Sequence, residues 1–131
     1  MKMRELVLGV ETRQISSSAM LCEAADRMRA WGTTVLPVVE DRRVVGVVVE
    51  GALTPASLPS GVDPRLTPVR SVMTWEVACC SQEDGVERAM GIAENRHAPW
   101  LVVLDCCGAA VGVLSVEDLV SKATEHSSAK P

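Results

Sequence analysis

Residues 21–49 read LCEAADRMRAWGTTVLPVVEDRRVVGVVV, and residues 86–115 read VERAMGIAENRHAPWLVVLDCCGAAVGVLS. Four apolar residues in each stretch share the i, i+3, i+4, i+7 spacing of an amphipathic helix: Leu21, Ala24, Ala25 and Met28, then Val86, Ala89, Met90 and Ala93. The second set follows the first by 65 positions. A long period that occurs twice predicts two copies of one supersecondary unit, which bury their apolar faces on each other. We therefore expect a duplicated binding fold with a ligand cleft between its halves.

Two apolar runs follow each helical stretch and are separated by a polar turn. The runs are Val35–Val39 and Val44–Val49 in the first copy, and Trp100–Leu104 and Ala109–Leu114 in the second. Their glycines, Gly46 and Gly112, lie 66 positions apart, so the two copies differ by one residue in the turn. Such valine-rich runs predict antiparallel strands that are covered on both faces, with helices as one covering layer.

Local signals predict where the two helices begin and end. Ser17 or Ser18 is expected to cap the first helix, which ends before Gly32. Residues 81–84 have the Ser-x-x-acid pattern of a capping box, which predicts the start of the second helix. That helix is expected to end near Asn95, ahead of a proline.

The composition limits the class of protein. The chain has 131 residues, 47% of them hydrophobic, with no Phe or Tyr and a formal net charge of −4. This negative charge argues against a nucleic-acid protein, because such proteins work through a basic surface. No apolar run approaches the roughly 18 residues of a membrane span, and the N-terminus lacks a signal-peptide pattern. We therefore expect a cytoplasmic protein that has neither a membrane nor nucleic acid among its partners.

Five cysteines, two pairs of them adjacent, raise the question of a metal site: Cys22, Cys79, Cys80, Cys106 and Cys107. An odd number without a secretion signal argues against a disulfide framework. Adjacent cysteines do not easily chelate one metal with normal geometry, and no Cys-x-x-Cys spacing occurs. On a strand, Cys79 and Cys80 would also point to opposite faces. We expect no metal site, and a thiol-based metal or redox protein is kept only as a third class of function.

Three motifs carry a resemblance to a known family. They are VRSVMT at residues 69–74, LPVVE at residues 36–40 and, most specifically, GVLSVEDL at residues 112–119. With the duplicated strand-helix-strand-strand-helix order, residues 3–122 resemble the CBS domain pair, also called the Bateman module. The resemblance implies an α/β (α+β) fold in which each repeat is a β-α-β-β-α unit and the two small sheets pack with pseudo-two-fold symmetry. It also implies a free-standing regulatory module that senses adenosine-containing ligands.

The repeat divides the chain into four segments. We expect the first CBS repeat at residues 3–58, with a short strand in its lead-in, and the second at residues 69–124. The second repeat opens with a strand at residues 77–80 and closes with a helix that begins near Ser115. Residues 59–68 form a proline-rich connecting segment, and residues 125–131 form a flexible tail.

The family's ligand motif, Gly-x-x-(Ser/Thr)-x-x-(Asp/Asn), stands before the last helix of a repeat, and Ser115 and Asp118 match it. A serine hydroxyl at a helix N-terminus suits a phosphate, and a carboxylate one turn later can accept both hydroxyls of a ribose. The same two residues fit a plain capping box, so both interpretations stay open. In the first copy Val49 and Ala52 hold these positions and cannot bind in this way. We therefore expect one functional cleft, formed mainly by the second copy.

The resemblance extends the site to the strand before the second helix and to the start of the next strand: Val77, Ala78 and Cys79, then Ala98, Pro99 and Trp100. Trp100 can stack on an adenine ring, or it can lie in the core or at a dimer interface. Arg96 and His97 can reach phosphates, or they can be solvated residues and helix caps. Arg13, in the lead-in of the first copy, is a weaker candidate of the same kind.

Nothing in the sequence composes a catalytic site, because no Ser/His/Asp set, acidic metal cluster or glycine-rich phosphate loop occurs. We expect a non-enzymatic module with no obligatory cofactor, which senses AMP, ADP or ATP and modulates a separate target protein. The alternative is an interaction scaffold with degenerate pockets and no nucleotide ligand. Either would be a homodimer through its apolar helices, with Met28, Trp31 and Met90 at the interface.

Overall fold

The computed structural model describes residues 1–7, 13–54 and 56–121. These residues form two compact units. The first-repeat unit is the described part of residues 13–75, and the second-repeat unit joins residues 1–7 to residues 76–121. This division differs from the expected start of the first repeat at residue 3, because the N-terminal segment groups with the second repeat.

The first-repeat unit is a three-stranded sheet with one α-helix. Its elements are β1 (Ile15–Ser16), α1 (Leu21–Trp31), β2 (Val35–Glu40) and β3 (Arg43–Val49), with short 3-10 helices at Glu50–Leu53 and Val69–Ser71. The sheet order is β1-β2-β3, in which β1 is parallel to β2 and β2 is antiparallel to β3. The central strand tolerates Pro37, because β1 pairs only with Val38 and Val39 and leaves no partner beside the proline on that side.

The second-repeat unit has the same order of elements, as the internal repeat predicted. It contains a 3-10 helix at Met3–Glu5, β4 (Val77–Ser81), α2 (Val86–Arg96), β5 (Trp100–Leu104) and β6 (Ala110–Ser115), followed by helical residues 116–121. In the sheet β4-β5-β6, β4 is parallel to β5 and β5 is antiparallel to β6. The expected end of the last helix and the tail at 125–131 lie outside the described residues.

The predicted apolar stripes of both helices face the core of their own unit. The buried residues are Leu21, Ala24 and Met28 on α1, and Val86, Ala89 and Ala93 on α2. Met28 is only 3% exposed, so it is not available for the dimer interface where the sequence analysis placed it. Trp31 and Met90 pack partly buried against their cores. In the part of the chain that the structure describes, no helix has the length and hydrophobicity for a membrane crossing.

The connecting segment caps α1, so the predicted caps were wrong. The helix begins at Leu21, whose amide donates to the carbonyl oxygen of Thr67 at 2.9 Å. The next amide donates to the carbonyl oxygen of Pro64 at 3.0 Å. Ser17 instead donates its hydroxyl to a carboxylate on β2, and Ser18 bonds a neighbouring serine hydroxyl. Carbonyls from a distant segment therefore satisfy the amides that a local side chain was expected to cap.

The N-terminal segment is bound to the start of α2. The amide of Met3 donates to the carbonyl oxygen of Asp84 at 2.8 Å, and the first amide of α2, at Val86, donates to the carbonyl oxygen of Met1 at 3.0 Å. The Met3 side chain is fully buried in the second-repeat core. The predicted capping box forms as a turn before the helix, since the amide of Ser81 donates to the Asp84 carboxylate at 2.9 Å. The helix therefore begins later than predicted.

The glycine at the centre of each repeat lets another segment lie against its sheet. A Cβ atom on Gly46 would collide with the carbonyl oxygen of Thr74. That segment is held there because Val47 and Thr74 exchange two backbone hydrogen bonds of 3.1 and 2.9 Å. A Cβ atom on Gly112 would lie 2.5 Å from Cγ1 of Val7. The repeated glycines are therefore needed for close packing within each unit.

Candidate functional site

Three of the predicted site residues lie side by side at one end of the second-repeat sheet. Val77 pairs with Trp100 across β4 and β5, and Trp100 pairs with Ser115 across β5 and β6. Val77 and Trp100 begin their strands, whereas Ser115 ends β6. The sheet register thus brings together residues from three separate parts of the chain.

Ser115 caps the helical residues that follow it. Its Oγ accepts a hydrogen bond from the amide of Asp118 at 3.0 Å, and the amide of Val116 donates to the carbonyl oxygen of Pro99 at 2.9 Å. Two amides of this first helical turn are therefore already used and are not available to a phosphate. The hydroxyl proton of Ser115 is still a donor, so the cap and a ligand contact are compatible.

The Asp118 side chain is exposed at the same end of the sheet. Its amide serves the cap, but its carboxylate has no hydrogen bond or ion pair with any residue that the structure describes. The reciprocal half of a capping box, in which this carboxylate would accept from the Ser115 amide, is therefore missing. The carboxylate is available to accept hydroxyl groups from a ligand.

Alternation along β4 separates residues of the core from residues that can face a ligand. Ala78 and Cys80 lie in the second-repeat core, together with Ala98, two residues before β5. Because the side chains of Ala78 and Ala98 belong to the core, these two predicted site residues can contact a ligand through their backbone atoms. Val77 and Cys79 are half-buried on the other face of β4.

Arg96 lies near Cys79 and brings a positive charge to this part of the unit. Burial raises the pKa of the Cys79 thiol, and the positive charge of Arg96 acts in the opposite direction. The Arg96 side chain is exposed at the end of α2. Arg96, a predicted phosphate contact, therefore lies close to the predicted site residue Cys79.

His97 has a structural role as the residue that follows α2, which ends at Arg96, one residue after the predicted end near Asn95. Its backbone is left-handed, with φ of 54°, and its amide donates to the carbonyl oxygen of Glu94 at 3.1 Å. Gly32 ends α1 in the same way, with φ of 65°. This geometry is that of a helix cap, which was one of the two interpretations of His97, and the side chain of His97 is exposed.

Arg13 is bound to the end of α1. Its guanidinium donates to the carbonyl oxygen of Trp31 at 2.8 Å and lies 5.8 Å from the centre of the Trp31 ring. Arg27 approaches the same ring at 5.7 Å. These contacts give Arg13 a cation–π role within the first-repeat unit rather than a ligand role.

The first repeat differs at the position of the ligand motif, as the sequence predicted. Val49 pairs with the first residue of β2 as Ser115 pairs with Trp100, which confirms that Val49 and Ser115 are equivalent. Because Val49 has no hydroxyl, the 3-10 helix Glu50–Leu53 that follows has no side-chain cap. The loss of one hydroxyl thus removes both the cap and the donor for a ligand.

A cavity of about 440 Å³ nevertheless opens in the first-repeat unit. Its polar lining comes from the end of α1, the two residues before β2 and the segment after β3: Arg29, Thr33, Thr34, Glu50 and Thr54. The volume lies within the range of about 300–1,000 Å³ that is typical of small-molecule sites. None of these residues was predicted from the sequence to line a site.

A signal for this cavity was present in the repeat. Thr33 and Thr34 stand 65 positions before Ala98 and Pro99, which were singled out in the second copy.

Two hydroxyls of the cavity lining are already used in hydrogen bonds within the unit, since Thr33 donates to a β2 carbonyl at 3.0 Å and Thr54 donates to a carbonyl of the 3-10 helix at 3.2 Å. The carboxylate of Glu50 adds a negative charge to the lining. Arg29 adds a positive charge, so the formal charge of the lining neither attracts nor repels a phosphate.

Comparisons with known proteins agree with this architecture. A family model of the CBS domain matches residues 13–57 and residues 69–125. An uncharacterized 17.7 kDa protein of Acidianus ambivalens is 26% identical over 106 residues, which are 80% of this chain and 63% of that protein. The chain thus spans less than two thirds of the length of this relative.

Two solved structures are similar over most of the chain. A crystal structure of a CBS domain is 28% identical with a TM-score of 0.68, and the match covers 95% of this chain and 99% of the other. The CBS domain of a bacterial CNNM/CorC-family Mg²⁺ transporter, in complex with ATP, is 19% identical with a TM-score of 0.68 and coverages of 91% and 84%. The duplicated units and the two matched ranges show that the chain belongs to the CBS-domain family, as a CBS domain pair, which is a regulatory module.

Proposed function

We propose that this CBS pair senses an adenosine-containing nucleotide at the end of the second-repeat sheet and modulates a separate partner protein. The observation that carries the proposal is the exposed Asp118 carboxylate beside the Ser115 hydroxyl, in line with Trp100. The likeness to a CBS domain solved with ATP supports the choice of ligand class.

Each part of the nucleotide has a chemically suited group in the proposed site. The Asp118 carboxylate accepts the two ribose hydroxyls, and the Ser115 hydroxyl donates its proton to a phosphate oxygen. Arg96 supplies the positive charge that the occupied amides of the helical turn cannot supply. The partly buried Trp100 ring offers an apolar surface for the base.

A specific observation favours the second candidate, an interaction scaffold without a nucleotide. Ser115 already has a structural task as a cap, and Val49 has lost the equivalent group in the first repeat. If Ser115 serves only as a helix cap and no nucleotide binds, the Asp118 carboxylate has no ligand to contact. The two candidates therefore differ in what happens when the Asp118 carboxylate is removed.

The decisive experiment is titration calorimetry with AMP, ADP and ATP on the wild type, Asp118→Ala and Asp118→Asn. Loss of the charge-assisted hydrogen bonds should cost roughly 1.5–3 kcal/mol, or about 10- to 100-fold in affinity, and Asp118→Asn should lie between wild type and Asp118→Ala. The backbone amide of Asp118 makes the cap, so Asp118→Ala should retain it. Glu117→Ala is the matched control, because it removes the same charge from the adjacent exposed residue and should bind normally.

The alternative makes a different prediction in the same experiment. If wild type binds none of the three nucleotides, or if Asp118→Ala binds as Glu117→Ala does, the scaffold interpretation replaces nucleotide sensing. The stoichiometry is a second readout. Because Val49 and Ala52 leave the first repeat without the hydroxyl and the carboxylate of the motif, we expect at most one nucleotide per chain.

We also propose that the module is a homodimer. Trp31 and Met90 are large apolar side chains that are only partly buried on the helices of the two units. The resemblance to paired CBS modules implies that two copies associate through such helices. Light scattering at micromolar concentration should give twice the 14.0 kDa mass of one chain. A mass of one chain would contradict the proposal.

A further inference from the structure

Two exposed thiols lie next to each other on the turn between β5 and β6. Cys106 and Cys107 are both exposed, and their Sγ atoms are 3.9 Å apart. The other adjacent pair differs, because Cys80 lies in the second-repeat core while Cys79 is half-buried on the opposite face of β4. Only the turn, among the described residues, presents two cysteines together on the surface.

The turn that carries these thiols is held by Asp105. One oxygen of its carboxylate accepts hydrogen bonds from the amides of Cys107 and Ala109, at 2.8 and 2.9 Å. Its backbone closes the turn, since the amide of Gly108 donates to the carbonyl oxygen of Asp105 at 3.0 Å. Gly108 has φ of 82°, which a residue with a side chain adopts poorly. The two thiols are therefore positioned by a fixed backbone.

The separation of the two sulfur atoms indicates which chemistry the pair suits. A disulfide requires about 2.05 Å between the sulfur atoms, so the pair would have to move together by nearly half of its present separation. Two thiolates on one tetrahedral Zn²⁺, with Zn–S bonds of about 2.3 Å, lie about 3.8 Å apart. The observed 3.9 Å matches the second arrangement without movement.

We propose that Cys106 and Cys107 together chelate one thiophilic d¹⁰ cation, with Zn²⁺ as the representative ion. The cation displaces one proton from each thiol and forms two metal–sulfur bonds, and no oxidant or reductant is required. Among the described residues, no group of three His, Cys, Asp or Glu side chains converges on a common point. The two remaining coordination positions are therefore filled by water or by a donor from another molecule.

This inference differs from the expectation that adjacent cysteines do not chelate a metal. That expectation holds for Cys79 and Cys80, because a strand sends neighbouring side chains to opposite faces. In the turn, the chain reverses at Cys106 and Cys107, and both side chains reach the same side. The inference is independent of nucleotide binding, because it uses none of the residues proposed for that site.

The test is a Cd²⁺ and a Zn²⁺ titration of the fully reduced full-length chain. Cd²⁺ should produce an ultraviolet thiolate-to-metal charge-transfer band that saturates at no more than one ion per chain, and Zn²⁺ in large excess should weaken the band by competing for the same thiolates. Loss of even an outer-shell partner of a metal ligand costs about 10- to 100-fold in affinity, so Cys106→Ser and Cys107→Ser should each lose at least as much.

Cys22→Ser is the matched control, because it removes one thiol that lies far from the turn in sequence and should leave the band unchanged. Circular dichroism of each variant checks that it is folded, which is expected since both turn cysteines are exposed. The proposal is overturned if the wild type gives no band, or if either turn variant retains wild-type affinity. It is also overturned if Cys22→Ser loses the band as well.

Discussion

Replacing Gly46 by alanine tests whether the repeated glycine is needed for packing. The new Cβ atom would overlap the carbonyl oxygen of Thr74, which is a backbone atom and cannot rotate away. Thr74 is anchored by its two hydrogen bonds to Val47 and by the neighbouring side chain of Met73 in the core. The substitution must therefore displace this segment from β3.

The structure sets the size of the effect. The two backbone bonds between Val47 and Thr74 contribute about 0.5–1.5 kcal/mol each, and forcing an extra carbon into a packed site costs about 1–3 kcal/mol. Because a shift of the segment relieves one cost at the expense of the other, the two costs do not add, and we expect Gly46→Ala to lower the free energy of unfolding by about 1–3 kcal/mol. The melting temperature should fall by roughly 4–12 °C for a chain of this length.

Thermal and urea unfolding, followed by circular dichroism, measure this change. Gly51→Ala is the control in the same unit, because a Cβ atom at Gly51 would have no neighbour within 4 Å. It should be neutral or stabilise by up to about 1 kcal/mol. If Gly46→Ala and Gly51→Ala unfold within about 0.5 kcal/mol of each other, which is the usual effect of a surface substitution, the packing argument is refuted.

Two further predictions concern single residues of the second-repeat unit. His97→Gly should stabilise the protein by about 0.5–1 kcal/mol in urea unfolding, since glycine adopts the left-handed conformation at no steric cost; a loss of stability would show that the His97 side chain makes a compensating contact. Burial raises the pKa of the Cys80 thiol to about 12 from an ordinary 9.0. Between about pH 9 and pH 12 the thiol is therefore protonated in the folded chain but ionised in the unfolded chain, so the free energy of unfolding should decline as the pH rises through this range. Peptide mapping after alkylation at pH 8 should therefore find Cys80 modified after Cys106 and Cys107, and early modification of Cys80 would contradict its burial.

The strands were predictable because valine-rich runs leave little choice of structure. Trp100–Leu104 was predicted with its observed bounds, and Val35–Glu40 differs from the prediction by one residue. The starts of the helices were not predictable, because their amides are satisfied by carbonyls of Pro64, Thr67 and Met1. Local sequence patterns contain no information on a partner that distant.

The candidate site was predictable only where its residues follow a motif. Ser115 was placed correctly at the start of a helical turn, and its equivalence to Val49 followed from the repeat. The burial of Ala78 was not predicted, because the sequence does not say which face of β4 meets the core. The cavity beside Thr33 was missed because a cavity depends on what the surrounding side chains leave unfilled.

The division of the second-repeat unit between the two ends of the described chain sets an order of events during synthesis. Residues 1–7 leave the ribosome about 80 residues before Gln82 and Asp84, whose carbonyl oxygens bind them. At about 5–20 residues per second, this delay lasts roughly 4–16 s. The first-repeat unit, which ends at residue 75, becomes complete about nine residues before Asp84, whereas the side chain of Met3 lacks its core throughout the delay. The nascent chain therefore exposes the apolar side chain of Met3 for seconds, which is long enough for a chaperone to bind it.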